Sequence, residues 1–266
     1  MPESDQTRDF FHRQLTGWRR DASVAGAFLT RLPFPAVEGA QAKNALALAA
    51  RAFPLVGVVV GAAGAVALLA SSSLGVGLLP AGILGLALMA LVTGALHEDG
   101  LADMVDGFGG GASQAQKLKI MKDARLGVYG VLALVFSVGL RAGALATFAT
   151  PEAAALALVA AASLSRGVLP ASMHFLPAVR KTGLAHKAGR PDQESWVTAL
   201  VLGGLFAFLF LGPAGGLIAI VFGIAGAALV AWLAWSQIGG LTGDVIGAEQ
   251  QVSEAAILIA AAVIAS

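Results

Sequence analysis

His97-Glu98-Asp99-Gly100-Leu101-Ala102-Asp103-Met104-Val105-Asp106-Gly107 follows directly on an apolar run from Leu78 to Leu96. Asp99, Asp103 and Asp106 stand at i, i+4 and i+7. On a helix turning about 100° per residue they share one face. Three carboxylates held that close repel one another unless a cation sits among them. Hard oxygen donors suit Mg²⁺ or Mn²⁺, which pair a few carboxylates with substrate phosphates. The stretch continues through a Gly109-Gly110-Gly111 break to Lys122-Asp123-Ala124-Arg125-Leu126-Gly127.

Composition makes the apolar run the rule in this chain. Of 266 residues, 57% are apolar and only 12% charged, and the mean hydropathy is +0.80. A soluble domain carries about 25% charged residues, so the solvent expected here is lipid. The 34 glycines fit closely packed membrane helices. A net charge of +1 without a basic stripe argues against nucleic acid as partner. With no cysteine, disulfides, thiolate metal sites and Cys nucleophiles are excluded. The first 20 residues are charged and hold no apolar core, so no cleavable signal peptide is expected.

The fold expected is all-α, a polytopic transmembrane bundle of about six or seven spans with an interfacial N-terminal segment. Residues 1–51 form that cytoplasmic or interfacial segment and 52–266 the membrane domain. Asp21 to Pro35 is too short to span and reads as an interfacial helix. Spans are expected at Ala52–Leu74, Leu78–His97, Gly127–Ala149 and Glu152–Met173. Trp196–Leu211 and Leu217–Trp235 read as a hairpin closed by Gly212–Gly216. Ala255–Ser266 crosses only if its helix begins near Val245. Continued to Asp106, the second helix would be about 44 Å long, leaving the aspartates at or beyond the edge of a ~30 Å core.

Of the 17 Lys and Arg, seven precede the first span, four lie between spans two and three, and four between spans four and five. The turns at 71–80, 150–151 and 212–216 have none. Positive-inside counting therefore predicts a cytoplasmic N-terminus. It places the acidic stretch and the 180–194 and 239–254 loops on the same side.

Asp99 and Asp103 are the first candidate metal ligands. Gly100 and Gly107 leave room for a ligand or backbone to approach. His97 is either a buried structural histidine or a base beside the metal. Glu98, about 100° from Asp99 on a helix, is left out of the metal's ligand set. Arg125 suits bidentate phosphate binding, and Asp123 could complete a metal shell. Arg141 and Arg166 lie inside spans; pairing is expected for Arg141, and anion binding for Arg166. Thr242-Gly243-Asp244 reads as a polar turn on the same side, while Glu249 and Glu254 read as solvated.

These pieces together resemble the cobalamin synthase family, the adenosylcobinamide-GDP ribazoletransferases. The matching segments are Thr30-Arg31-Leu32-Pro33, Phe53-Pro54-Leu55-Val56-Gly57, the His97–Gly107 stretch, Met121–Gly127, Ser165-Arg166-Gly167 and Gly239–Asp244. The His-x-Asp-Gly-Leu-Ala-Asp-x-x-Asp-Gly element is the specific one. The aspartate spacing is also similar to that of CDP-alcohol phosphotransferases, by analogy only.

The resemblance implies an integral enzyme of the bacterial inner membrane, acting at its cytoplasmic face late in vitamin B12 assembly. It implies joining of adenosylcobinamide-GDP to α-ribazole or its 5′-phosphate, with release of GMP and a requirement for Mg²⁺. In that scheme Asp99 and Asp103, with Asp106 or Asp123, hold one or two Mg²⁺ ions, and Asp244 serves a second. Asp106 or His97 acts on the attacking hydroxyl, and Arg125 and Arg166 bind phosphate. The partners are those small molecules and the bilayer; oligomeric state stays open, a homo-oligomer included. The competing reading is a divalent-cation or proton-coupled transporter with the acidic cluster as its ion site. A site at one rim rather than at the midplane weighs against it.

Overall fold

The computed structural model describes residues 2–37, 39–40 and 44–265, with side chains for all of these but 2–14 and 184. Among the described residues all named secondary structure is helical. Helix α1 (Pro2–Leu29) leads to the short α2 (Ala45–Ala49) and a 3₁₀ turn (Ala50–Ala52), then α3 (Phe53–Ser73). Pro54 sits in the first turn of α3, where its missing N–H is no loss. Arg51 ties the segment down, bonding Asp21 at 2.6 Å and covering the Trp18 ring at 4.5 Å.

Helix α4 (Leu78–Thr93) returns alongside α3 and then stops short of the length expected. Gly94 (φ 66°) and Ala95 (φ 56°) both adopt the left-handed conformation, and the chain turns by 93° into α5 (Leu96–Gly110). The continuous helix to Asp106 is thus corrected to two helices at a right angle. A non-glycine residue in that conformation costs about 1 kcal/mol or more, so the corner needs bracing. Arg31 supplies it: its N–H donates to Val92 O at 2.7 Å, and its side chain lies where a Cβ on Gly94 would be. At 16 residues, α4 rises about 24 Å and accounts for most of the hydrocarbon core. Helix α5 therefore runs along the membrane face, outside the spans.

Helix α6 (Gln114–Ile120) follows, then α7 (Val128–Ala146) and α8 (Pro151–Phe175). Helix α8 is the centre of the bundle, 89% buried over its apolar window. After α9 (Leu184–Ala188) comes α10 (Gln193–Ile238), 46 residues long. It is a hairpin. Gly212 (φ 72°, ψ 177°) breaks the helix, and beyond it Ile220 packs at Gly204 and Phe208 at Gly216. Helix α11 (Gly243–Ala265) starts early enough to cross.

Among the described residues, five helices are long and apolar enough to span, and the bent α4–α5 pair passes the same test together, with α4 supplying that crossing. The hairpin counts as two passes, which brings the architecture to the six or seven expected. The ends of α4, α8 and α10 and the starts of α7 and α11 all gather at one rim, around α5 and α6.

Candidate functional site at the bundle rim

Helix α5 crosses the first turn of α11 with no side chain between them. A Cβ on Gly100 would overlap the Asp244 backbone and Gly247. That contact places Asp99 and Asp103 beside Asp244, which comes from 140 residues further along the chain. Asp103 registers the crowding: partial burial, then Asp99, Asp244 and Asp106, push its carboxyl up to about 6. The face of α5 formed by Ala95, Glu98, Asp99, Ala102 and Asp103 lines a cavity of about 510 Å³. Lys122, Asp123, Ala124 and Leu126 form its opposite wall.

Asp106 shares the face but not the cavity. It is buried, and its oxygens accept from Gly127 N at 2.7 Å and Gly130 N at 2.8 Å. These are N-terminal N–H groups of α7, which have no helical partner of their own. A Cβ on either glycine would overlap the carboxylate, so both glycines serve that approach. His97 is also out of the cavity, buried, with its Nε2 unbonded.

Arg125 forks back onto Asp123, with Nε to Oδ1 at 3.0 Å and Nη2 to Oδ2 at 2.8 Å. Those bonds hold the Asp123 carboxyl down at about 2. The Arg125 side chain is 88% exposed, so an incoming anion can compete for it. Asp244 accepts from the Thr242 hydroxyl at 3.2 Å and lies 3.5 Å from Arg180.

Arg166 is not at the cavity. It is buried, donates to Ala162 O at 2.9 Å and faces Glu254 at 3.5 Å. Arg141 pairs with the same Glu254 at 2.8 Å, as expected of it. The solvated reading of Glu249 and Glu254 is overturned, since both are wholly buried. Gln250 donates to Glu254 and Ser165, and Ser137 donates to Gln251. Gln251 in turn donates to Glu98 Oε1 at 3.0 Å. Glu98 is therefore both a cavity wall and the outer end of a buried network. Its spacing held the signal: 95, 98, 99, 102 and 103 follow the i, i+3, i+4, i+7, i+8 pattern of one helix face.

Among the described residues, no three His, Asp or Glu side chains already converge on one point. Mg²⁺ does not require that, since one or two carboxylates plus substrate phosphates usually hold it. The carboxylates of the α5 wall, Glu98, Asp99 and Asp103, are hard oxygen donors that fit such an ion.

A helical bundle that crosses the membrane repeatedly and gathers four carboxylates around a rim cavity defines a polytopic membrane protein with an ionic site at one face. The chain belongs to the cobalamin-5-phosphate synthase family, whose model matches residues 21–262. An adenosylcobinamide-GDP ribazoletransferase of Bradyrhizobium diazoefficiens is 45% identical over 242 residues, covering 91% of this chain and 93% of that protein. Proteins of the same name from Mesorhizobium japonicum and Rhizobium johnstonii are each 44% identical, over 91% of this chain and 93% and 96% of theirs. The chain is accordingly an enzyme, a transferase of cobalamin synthesis. No solved structure matches it.

Proposed function

We propose that the rim cavity is the active site of a Mg²⁺-dependent transferase joining adenosylcobinamide-GDP to α-ribazole or its 5′-phosphate. A ribose hydroxyl oxygen forms a bond to the cobinamide-side phosphorus. The bond from that phosphorus to the bridging diphosphate oxygen breaks, and GMP leaves with the electron pair. The observation that carries this reading is the Gly100 contact, which sets Asp244 beside Asp99 and Asp103 at the edge of the rim cavity. Asp99, Asp103 and Asp244 would hold Mg²⁺, which neutralises phosphate charge and stabilises the leaving group. Mn²⁺ suits the same oxygen donors. Asp123 would release Arg125 as phosphate enters.

Asp106, committed to two backbone N–H groups, positions the start of α7 rather than acting as base. Glu98 lines the cavity with one oxygen fixed by Gln251. Its other oxygen is buried without a partner among the described residues, and Glu98 is the proposed acceptor of the hydroxyl proton. Arg166, paired inside the bundle, supports the site from within and does not bind phosphate. The test is GMP release from the GDP ester by purified protein, with Mg²⁺ and with a chelator. Ion flux in liposomes without GMP release would favour the transporter instead.

Arg125 gives a sharper outcome. Replacement by Lys keeps the charge and removes the planar fork. Arg125→Lys is expected to lower kcat about tenfold or more, the worth of a charge-assisted pair. Because the side chain is exposed, the melting temperature should stay put. A wild-type kcat would remove Arg125 from the site.

The site is also proposed to face the cytoplasm of an inner membrane, following the basic loops. Ser113 and Ala214 are both exposed and lie at opposite ends of the bundle. In the cysteine-free chain, Ser113→Cys should label from the cytoplasmic side and Ala214→Cys from the other. Labelling of both from one side would overturn the pass count.

A further inference from the structure

A second cleft opens on the far side of Asp244. It has a volume of about 360 Å³ and is walled by Met173, Phe175, Leu176 and Pro177, with His186 and Arg190 at its mouth. A smaller cavity shares its Ala185–His186 and Leu241 wall and leads past Arg180 to Asp244. The backbone pairing of Val179 N with Leu241 O at 3.0 Å and Leu241 N with Pro177 O at 2.8 Å fixes this wall just before Asp244. The volume is in the range of small-molecule sites, about 300–1,000 Å³.

The two sides of Asp244 differ in charge. The rim cavity carries Glu98, Asp99, Asp103 and Asp123 against the single cation Lys122, whereas no carboxylate lines the larger cleft. Arg190 uses only its Nε, donating to His174 O at 2.6 Å. Its two Nη groups point to no partner among the described residues, and neither does the exposed His186 ring. An anion can therefore bind here without a metal. The rest of the wall is mainly apolar; Phe175, 63% exposed, lines it with its ring held by His174 and Trp196.

Resting on the transferase reading above, we propose that this cleft is the subsite of the acceptor nucleotide. Its fused aromatic base lies on Phe175 and Pro177, its phosphate meets Arg190 and His186, and its ribose points past Arg180 toward Asp244. The guanosine end of the donor fits poorly. Guanine would leave N–H donors unpaired against an apolar wall, which is costly. A ribazole base has no exocyclic donor or acceptor to strand.

The test compares α-ribazole and its 5′-phosphate as acceptors for the full-length protein in nanodiscs. Arg190→Ala should raise the KM of the phosphorylated acceptor about 10- to 100-fold, as loss of a charged hydrogen bond implies. The KM values of α-ribazole and of the GDP ester should change less than about threefold. Phe175→Ala should raise the KM of both acceptors by about 2- to 10-fold, again sparing the donor. Equilibrium dialysis of α-ribazole 5′-phosphate in EDTA should show binding to the wild-type protein and its loss in Arg190→Ala, whether or not turnover is measured. A raised donor KM would give the cleft to the guanosine end and overturn the assignment. A changed dependence on phosphatidylglycerol content, with acceptor KM unaltered, would give it to a lipid phosphate and overturn it equally. Absence of GMP release by the wild type, with acceptor binding intact, would count against the transferase reading and not against the subsite.

Discussion

Asp103→Asn is expected to cut GMP release by at least about 100-fold, the scale of losing a charge that stabilises a phosphoryl-transfer transition state, and yet to leave the metal-free protein more stable at pH 7. Asp103 lies half-buried on α5 with Asp99, Asp244 and Asp106 around it, and its carboxyl is raised from 3.8 to about 6. The folded chain thus holds that proton more tightly than the unfolded chain does. Between about pH 4 and pH 6 the native state binds more protons, so stability falls as pH rises across that window. An amide carries no charge and escapes the penalty. In EDTA the wild-type melting temperature should drop from pH 4.5 to 7, and the variant should show a smaller drop. Added Mg²⁺ should raise the melting temperature of the wild type more than that of Asp103→Asn. Near-normal GMP release, or equal responses to pH and Mg²⁺, would remove Asp103 from the metal site.

Periodicity and apolar length located the spans, because lipid imposes on every crossing helix a length that can be counted. The break at Gly94–Ala95 was not legible in the same way. An Ala in a left-handed corner has no local signature, and the brace comes from Arg31, over sixty residues earlier. The acidic helix face was legible from spacing, but the partners of its members were not. Asp99, Asp103 and Asp106 look equivalent in sequence. Gly127 and Gly130 single out Asp106 through backbone N–H groups, which a reading of side chains alone passes over. Glu98 points about 100° from Asp99 and still lines the cavity, because the cavity face is centred between the two.

Charge inside the bundle divides along a related line. Near the rim, Asp99 and Asp103 stay at least partly exposed, with no arginine or lysine among the described residues paired to them. Deeper in, Glu254 already has two arginines as counter-ions, and glutamines fill the remaining bonds. The network ends at Glu98, so the interior holds one wall of the rim cavity. A site that must gather charged substrates at a membrane face benefits from such a fixed base, since a misplacement of about 1 Å can cost 100-fold in rate.

Glu254→Gln is accordingly expected to be the most destabilising single change in the chain. Both flanking arginines are almost wholly buried, Arg141 at 2.8 Å and Arg166 at 3.5 Å from the carboxylate. Removing the anion leaves two cations close together in a medium that cannot solvate them. Breaking a buried pair in this way costs about 3–5 kcal/mol, which for a chain of this size lowers the melting temperature by roughly 6–20 °C. Gln keeps the shape, so packing loss does not explain the effect; its NH₂ faces a donor where a carboxylate oxygen accepted, which adds to the loss. A second substitution separates charge from structure. Arg141→Gln added to Glu254→Gln takes away one stranded cation and leaves Arg166 with Glu98, the next carboxylate acting on it. The double variant should recover at least about 1 kcal/mol relative to Glu254→Gln alone, a coupling that a double-mutant cycle measures directly. Thermal unfolding in one detergent, followed by tryptophan fluorescence, is sufficient to read it. A Glu254→Gln protein as stable as wild type, or a double variant worse than the sum of its parts, would show that the interior charges do not hold the bundle together.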